Sequence, residues 1–582
     1  MSTKAALLRA IRAQPDEDTP RLVYADYLDE ESDPARAEFI RVQVERARLP
    51  EGDPARAALE DREHDLLAQH EDAWLGVAPD DRDELAEWEF DRGFIHEVAA
   101  SPVFMRTAGT DLCAAHPVRR WRVMSGDTGT NFPADLREAG QRGWFPRLEA
   151  VDLTGWYADL GETDGFLTRS NFERLRELDL TGRGPLGSLP EILEVAAFRY
   201  QLKVLRCGAA GYEGGRLDPA DLIKAMGPVC RLEEFAAPTA QLMADDLHEL
   251  LTAPVFAELK SLDLSGNNIE AEGGRAFRAP SFRLRELDIS GTQLGGVLEE
   301  LLGCAALGEL RSLHLNRCGN NGLNLHALAG SRFWAQAEEL RMQQGLGFNA
   351  DYEEAEAPQQ AEPPNLDPLF AATVPSNLHV LDIAGNGLRD AGVARLCAAL
   401  WAGSLTYLDL SQNYLSDEAL RTIAASGKFK NLHTLHLNFN SVYEQSGAAQ
   451  HESITDAGLR ALAECPDLAN LRVLSVSGTR ITADGVSAVL NSPHWRLSAL
   501  RLAGCQLRRN LLDVLTTSPG LARLQVLDLS GNGDHIDVDD LAPLAECEYL
   551  SAQTELDIRG LNVGTGMVRS ELSRRLGRRL SE

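Results

Sequence analysis

The chain is 582 residues long, 44% hydrophobic and 25% charged, and holds no run near the roughly 18 apolar residues that a membrane-spanning helix needs. Its 57 Lys+Arg stand against 88 Asp+Glu, a formal net charge of -31, which disfavours nucleic acid and anionic lipid as partners and would steer a basic protein toward it. Nine scattered cysteines, with no Cys-x-x-Cys pair, read as buried reduced thiols, and Met1 to Pro15 lacks the apolar stretch of a signal peptide; both point to the cytoplasm.

Helical spacing over Thr3 to Ala13, Thr19 to Glu31 and Pro34 to Arg48, punctuated by Pro15, Pro20, Pro34 and Pro50, predicts three helices. A charged stretch from Pro54 to Trp74, with Leu59, Leu66 and Leu67 as its apolar residues, predicts a fourth. Tyr24, Asp26, Tyr27, Asp29 and Glu38 are the polar candidates in this module. With Leu22, Val23 and Leu28 among them, a small helical bundle accounts for them better than an active site. Asp26 or Glu38 paired with Arg21, Arg36 or Arg41 would be ordinary helix-surface ion pairing.

From Leu148 onward one phrase recurs fifteen times: Leu-x-x-Leu-x-Leu, often followed by Ser/Thr-Gly-Asn. Clear copies are Leu259-Lys-Ser-Leu262-Asp-Leu264-Ser-Gly-Asn267 and Leu405-Thr-Tyr-Leu408-Asp-Leu410-Ser-Gln-Asn413. The phrases begin near 148, 175, 202, 232, 259, 284, 310, 337, 378, 405, 432, 471, 497, 524 and 553, mostly 25 to 30 residues apart. Val118 to Val123 is a weaker copy. Alternation about the second and third leucines predicts a short strand with those leucines inward. Between strands, segments such as Asp417 to Ile423, Asp456 to Leu462 and Asp484 to Val489 predict helices, with the aspartate expected at the N-cap. The closing amides Asn267, Asn386, Asn413, Asn440 and Asn532 both donate and accept, so they suit buried turns whose backbone leaves the sheet; Thr292, Thr479, Cys318 and Cys505 are smaller substitutes.

Phrase, period and helix pattern together resemble the leucine-rich repeat family, in its long ribonuclease-inhibitor-like subtype, over about 420 residues. The resemblance implies an α/β solenoid, a horseshoe with a parallel inner sheet and outer helices, and protein binding as its activity. The run Pro20-Arg-Leu-Val-Tyr-Ala-Asp-Tyr-Leu-Asp-Glu30, then Arg36-Ala-Glu-Phe-Ile-Arg41-Val-Gln43, resembles the short repeat-companion domain found beside such repeats in planctomycete-type and other bacteria; that family implies no established activity. The expected organisation is therefore a small all-α domain over 1–50, a helical connector over 51–85, divergent capping repeats over 86–147, the solenoid over 148–565 and a capping helix over 566–582.

No phosphate-cradling loop, nucleophile elbow or zincin motif is present, and Glu63-His64 with His70 has the wrong spacing for two ligands on one helical face. The sequence names no catalytic residue, no cofactor and no metal site. The position between the second and third leucines is an aspartate stripe, including Asp263, Asp288, Asp382, Asp409, Asp528 and Asp557, broken by His314, Arg341 and His436. Two insertions, 345–364 and 441–453, leave the same rim and bracket the coils beginning at 378, 405 and 432. His314, Arg341, Asp382, Tyr407, Asp409, Tyr414, His436 and Phe439 are thus the candidate partner-binding residues. The reading is a monomeric protein–protein interaction scaffold without catalysis, binding a basic protein on the concave face and rim loops. Two alternatives are a regulator of a partner enzyme, and a cryptic hydrolase in the N-terminal module whose turnover Asp26→Asn would abolish.

Overall fold

The computed structural model describes residues 3–31, 33–49, 54–124, 138, 147–154, 166–167, 172–182, 186–209, 215–280, 282–292, 297–318, 323–343, 366–372, 377–440, 453–533, 535–562, 566–576 and 579–581. The rim insertions expected at 345–364 and 441–453 lie outside these residues, save Ser453. The chain forms two compact units, Met1–Leu242 with Glu249–Ser261, and Met243–His248 with Leu262–Glu582.

In the first unit, the four expected helices are α1 (Thr3–Ala13), α2 (Asp18–Glu30), α3 (Pro34–Arg48) and α4 (Pro54–Leu75). Pro34 at the first turn of α3, after Asp33 whose side chain accepts from Arg36 N, sets its start. Ile11, Tyr24, Ala25, Leu28, Ala37, Ile40 and Val44 bury one face of α1–α3 around Phe94. Phe94 belongs to a hairpin that the repeat reading of 86–147 did not anticipate: β1 (Leu85–Asp91) and β2 (Phe94–Ala100) pair antiparallel. The two turn residues, Arg92 at φ 47° and Gly93 at φ 86°, are both left-handed, as a tight hairpin turn requires. Only glycine fits at 93, since a Cβ there would lie 2.3 Å from Ile40 Cγ1. From β2 the sheet continues in parallel through β3 (Arg120–Val123), β4 (Ala150–Asp152), β5 (Glu177–Asp179), β6 (Val204–Arg206) and β7 (Glu234–Ala236).

The second unit opens within β8 (Ser261–Asp263) and continues with β9 (Glu286–Asp288), β10 (Ser312–His314), β11 (Glu339–Arg341), β12 (Val380–Asp382) and β13 (Tyr407–Asp409). β14 (Thr434–His436), β15 (Val473–Ser475), β16 (Ala499–Arg501), β17 (Val526–Asp528) and β18 (Glu555–Asp557) follow, each paired in parallel and in register with the one before. All fifteen leucine phrases are strands. Register is enforced by the repeat itself, because the inward leucine of one strand, such as Leu408, sits beside Leu381 and Leu435, and all three are buried. A leucine withdrawn from water this way contributes about 2 kcal/mol, and a one-residue slip would turn it outward.

The asparagines do what their chemistry suggests. Asn413 Oδ1 accepts from Asn386 N (3.0 Å) and Leu388 N (3.2 Å), while its Nδ2 donates to Ile383 O (2.9 Å). Asn440 repeats this one coil on, accepting from Asn413 N and Leu415 N and donating to Leu410 O. Where Thr292 or Cys318 replaces the amide, each side chain donates to Ile289 O, and Cys318 Sγ also reaches Asn316 O at 3.7 Å.

The aspartate expected at the N-cap is corrected by the structure. The caps are Ser416, Thr455 and Thr482, whose hydroxyls accept from Glu418 N, Ala457 N and Asp484 N. Asp417 and Asp456 are the first residues of helices Asp417–Ser426 and Asp456–Ala463, and each reaches to the following coil. Asp417 accepts from Thr455 N (2.8 Å) and Thr455 Oγ1 (2.7 Å), and Asp456 likewise from Thr482 (2.8 and 2.6 Å). The hydroxyl can cap its own helix as acceptor while donating its proton to the previous coil, so a charged acceptor is best placed next door.

At the C-terminus, helix Met567–Leu576 buries Leu572 and Leu576, and β19 (Leu580–Ser581) covers the edge of β18. Arg575 donates to the carbonyls of Ala545, Cys547 and Leu550. All nine cysteines are buried and free.

Candidate functional site

In the second unit the residues before and after each inward leucine share the open face of the sheet. The aspartates there are first of all turn residues. Oδ1 of Asp263, Asp288, Asp382, Asp409, Asp528 and Asp557 accepts the N–H two residues on, at 2.8 to 3.1 Å. One oxygen of each carboxylate holds the chain as it leaves the strand, and the other remains for the face.

Two clusters sit side by side. On β9–β11, His314 Nδ1 lies 3.2 Å from Asp288 Oδ2 and its Nε2 3.2 Å from Glu339 Oε1. Burial would lower the imidazole, but the hydrogen bonds to these two carboxylates outweigh it and raise His314 to about 9. The hydrogen bond from His314 in turn draws Glu339 down to about 2. Arg341 Nε also donates to Glu339, so the charges of this cluster satisfy one another.

On β12–β14 the balance differs. The Arg341 guanidinium lies over the Tyr407 ring, 5.3 Å from its centroid. Tyr407 meets His436 edge-on, with its hydroxyl 3.2 Å from His436 Nδ1, and the same nitrogen is 3.4 Å from Asp409 Oδ2. Asp382, only 7% exposed, stands beside Asp409 on the neighbouring strand. Burial, then the Asp409 charge, push Asp382 up to about 6, and burial with both carboxylates pushes Tyr407 up to about 12.

The structure therefore joins His314 to Arg341 through Glu339, and Arg341 to Tyr407, His436, Asp409 and Asp382. Glu339 was not singled out from sequence; its signal was its position ahead of the inward leucine, on the same face as His314. Tyr414 and Phe439 belong to the turns instead. Both are left-handed, at φ 56° and 53°, where a neighbouring coil has Gly387 or Gly385. Phe439 is 57% exposed and lies across Gly478, whose added Cβ would fall 2.2 Å from Phe439 Cδ1.

In the N-terminal module, Arg41 pairs with Asp26 and Asp29, each at 2.7 Å, while Glu38 turns to Arg62 rather than to any of the arginines expected from sequence. Arg36 is buried instead among Phe39, Trp74, Phe90 and Phe94, 4.9 to 5.5 Å from each ring, and burial lowers it to about 9. Tyr24 is packed in the same core, so the module's polar residues serve packing and surface pairing. Among the described residues, Glu89, His96 and Glu97 on the hairpin are the group whose ligand atoms could meet on a metal, but Glu97 is already paired with Arg120 and Arg122. A cleft of 630 Å³ among the outer helices is lined by Arg283, Glu299, Cys304 and Arg332 and does not reach the sheet face.

Strand–turn–helix coils with inward leucines and a ladder of buried asparagines build a leucine-rich repeat solenoid. Four segments, 259–277, 374–397, 404–424 and 468–490, match the Leucine Rich repeat family. No curated protein matches the chain. Among solved structures it is similar to an internalin (inlF) from Listeria monocytogenes, at 17% identity over 66% of this chain and 87% of that one, with a TM-score of 0.35. It is also similar to a chain of the mouse RP105/MD-1 complex (17% identity, 76% and 67% covered, TM-score 0.31) and of the TLR13-ssRNA13 complex (15%, 79% and 66%, 0.30). Among the described residues no helix is long and apolar enough to cross a membrane.

Proposed function

We propose that the protein is a recognition scaffold that binds a protein partner on the open face of the second unit and performs no catalysis there. The observation that carries this reading is the Arg341–Tyr407–His436–Asp409–Asp382 cluster, which presents an aromatic ring, an imidazole and two carboxylates on four adjacent strands. Rigid elements hold these groups, and none of them forms a nucleophile–base pair with an oxyanion donor. We read the repeats as the ribonuclease-inhibitor-like subtype, because helices of eight to ten residues recur at Arg389–Ala398, Asp417–Ser426, Asp456–Ala463 and Ala483–Leu490. We read the N-terminal helices as a bacterial repeat-companion module and the protein as a cytoplasmic monomer, in keeping with nine free buried thiols.

The test is affinity capture from source-cell lysate, with the wild-type chain and a Tyr407→Ala/His436→Ala variant as baits. A protein retained by the wild type and lost with the variant is the expected result. Equal retention by both baits would remove the face from the interaction.

A further inference from the structure

We propose that the open face over β12–β17 docks an extended, basic segment of a partner protein, with one arginine or lysine of that segment seated at Asp382 and Asp409 and its apolar side chains lying on Val473, Ala499 and Val526. This rests on reading the protein as a recognition scaffold and adds the partner's chemistry and its place on the sheet.

The face changes character at β12. Ahead of the inward leucine, β8–β11 carry Ser261, Glu286, Ser312 and Glu339, all polar. The next six strands carry Val380, Tyr407, Thr434, Val473, Ala499 and Val526, with no charge among them, before Glu555 returns on β18. Five of these six are partly exposed, so among the described residues the column is an uncharged, largely apolar lane left open. Six strands at about 4.8 Å spacing span roughly 24 Å, room for about seven extended residues.

Charge decides what lies along that lane. On β9–β11 the carboxylates have cations of their own, since His314 and Arg341 serve Asp288 and Glu339. On β12–β13 they do not. Asp382 forms no ion pair among the described residues, and Arg341, the nearest cation, is held by Glu339 and the Tyr407 ring. Among the described residues Asp409 has only the His436 imidazole as an ion-pair partner, at 3.4 Å. Each carboxylate spends Oδ1 on its own turn, so Asp382 Oδ2, together with Asp409 Oδ2 that only the His436 imidazole approaches, at 3.4 Å, is what the pair offers a cation from outside. A cation there relieves the repulsion between neighbouring carboxylates, whereas an anion would add to it.

The experiment uses the full chain and two labelled heptapeptide pools, degenerate in Val, Ile, Leu and Thr, with a central arginine in one and uncharged citrulline in the other. Fluorescence anisotropy at low ionic strength is expected to show the arginine pool binding about tenfold tighter, the worth of one well-placed charge pair. Asp382→Asn and Asp409→Asn should each remove that preference, since asparagine keeps the oxygen that holds the turn. Val473→Glu should weaken the apolar contribution in both pools. Equal binding of the pools, or a preference that survives both asparagine variants, overturns the assignment. So does a concentration-dependent dimer of the chain that Val473→Glu dissolves, which would give the face to a second copy. If neither pool binds, the assignment falls, and the lysate capture decides separately whether the scaffold reading stands.

Discussion

Asp382 and His314 lie two strands apart, yet their charges respond to pH in opposite ways. Asp382 ionises at about 6 in the fold against an ordinary value of 3.8, so its contribution to stability is present below pH 3.8 and lost as pH rises through 6. Asp382→Asn is therefore expected to stabilise the chain by about 2–3 kcal/mol at pH 7.5 and by nothing at pH 3.5, measured by urea unfolding at both. The residue proposed to meet the partner's cation is thus retained at a cost to stability, as functional sites often are. His314 runs the other way. Its folded value near 9 exceeds 6.5, so its contribution is full below pH 6.5 and fades as pH rises through 9; that of Glu339 is full above 4.5 and fades as pH falls through 2. His314→Gln is expected to destabilise by about 2–3 kcal/mol between pH 4.5 and 6.5, and by little at pH 10. A flat pH response would mean that His314 is not charged in the fold.

At the scale of the element, the helices are bound to one another by a device that local propensity hides. Gly458 and Gly485 lie inside helices, where glycine is a poor choice by about 1 kcal/mol. Each is there because the aspartate of the preceding coil lies over it: an added Cβ would fall 2.4 Å from Asp417 Oδ1 or Asp456 Oδ1. Gly485→Ala should thus destabilise by about 1–3 kcal/mol despite the better helix former, by displacing Asp456 from Thr482. Gly187→Ala, with nothing within 4 Å of its Cβ, should show no such loss. Thermal melts of the two variants would separate the explanations. In the sequence the Asp-Ala-Gly and Asp-Gly wording was visible, but which aspartate capped what was not, since the acceptor and its hydroxyl belong to different coils.

Across the whole molecule, stability in a repeat array depends on how its last coil is covered. Helix Met567–Leu576 and β19 bury Leu572 and Leu576, close the edge of β18 and supply Arg575 to three carbonyls of the last coil. Truncation after residue 565 should lower the melting temperature and promote edge-to-edge aggregation, visible by light scattering, while leaving the strands of the remaining coils intact. A truncated chain as stable and monodisperse as the full one would assign the arginine-rich segment some other task. The formal charge of -31 acts at this scale too, since it predicts that the arginine-peptide preference weakens as salt rises.

Fifteen strands, the inward leucines and the asparagine turns were legible in the residues alone, because a repeated phrase states its period, its buried face and its turn chemistry in every copy. The four N-terminal helices were legible for the same local reasons: proline punctuation and apolar spacing. The hairpin at Leu85–Ala100 was not, since its Asp-Arg-Gly-Phe turn is short and its strands interrupt no repeat of their own. Nor was the division of the sheet face. His314, Arg341 and His436 stand out in the sequence as departures from an aspartate column, and Tyr407 as an aromatic ahead of the inward leucine of its own strand. That the first two are neutralised by Asp288 and Glu339, while Asp382 and Asp409 are left facing one another, is a matter of distances between strands some 27 residues apart. Those distances exist only once the leucines have stacked, and they alone decide which charges remain for a partner.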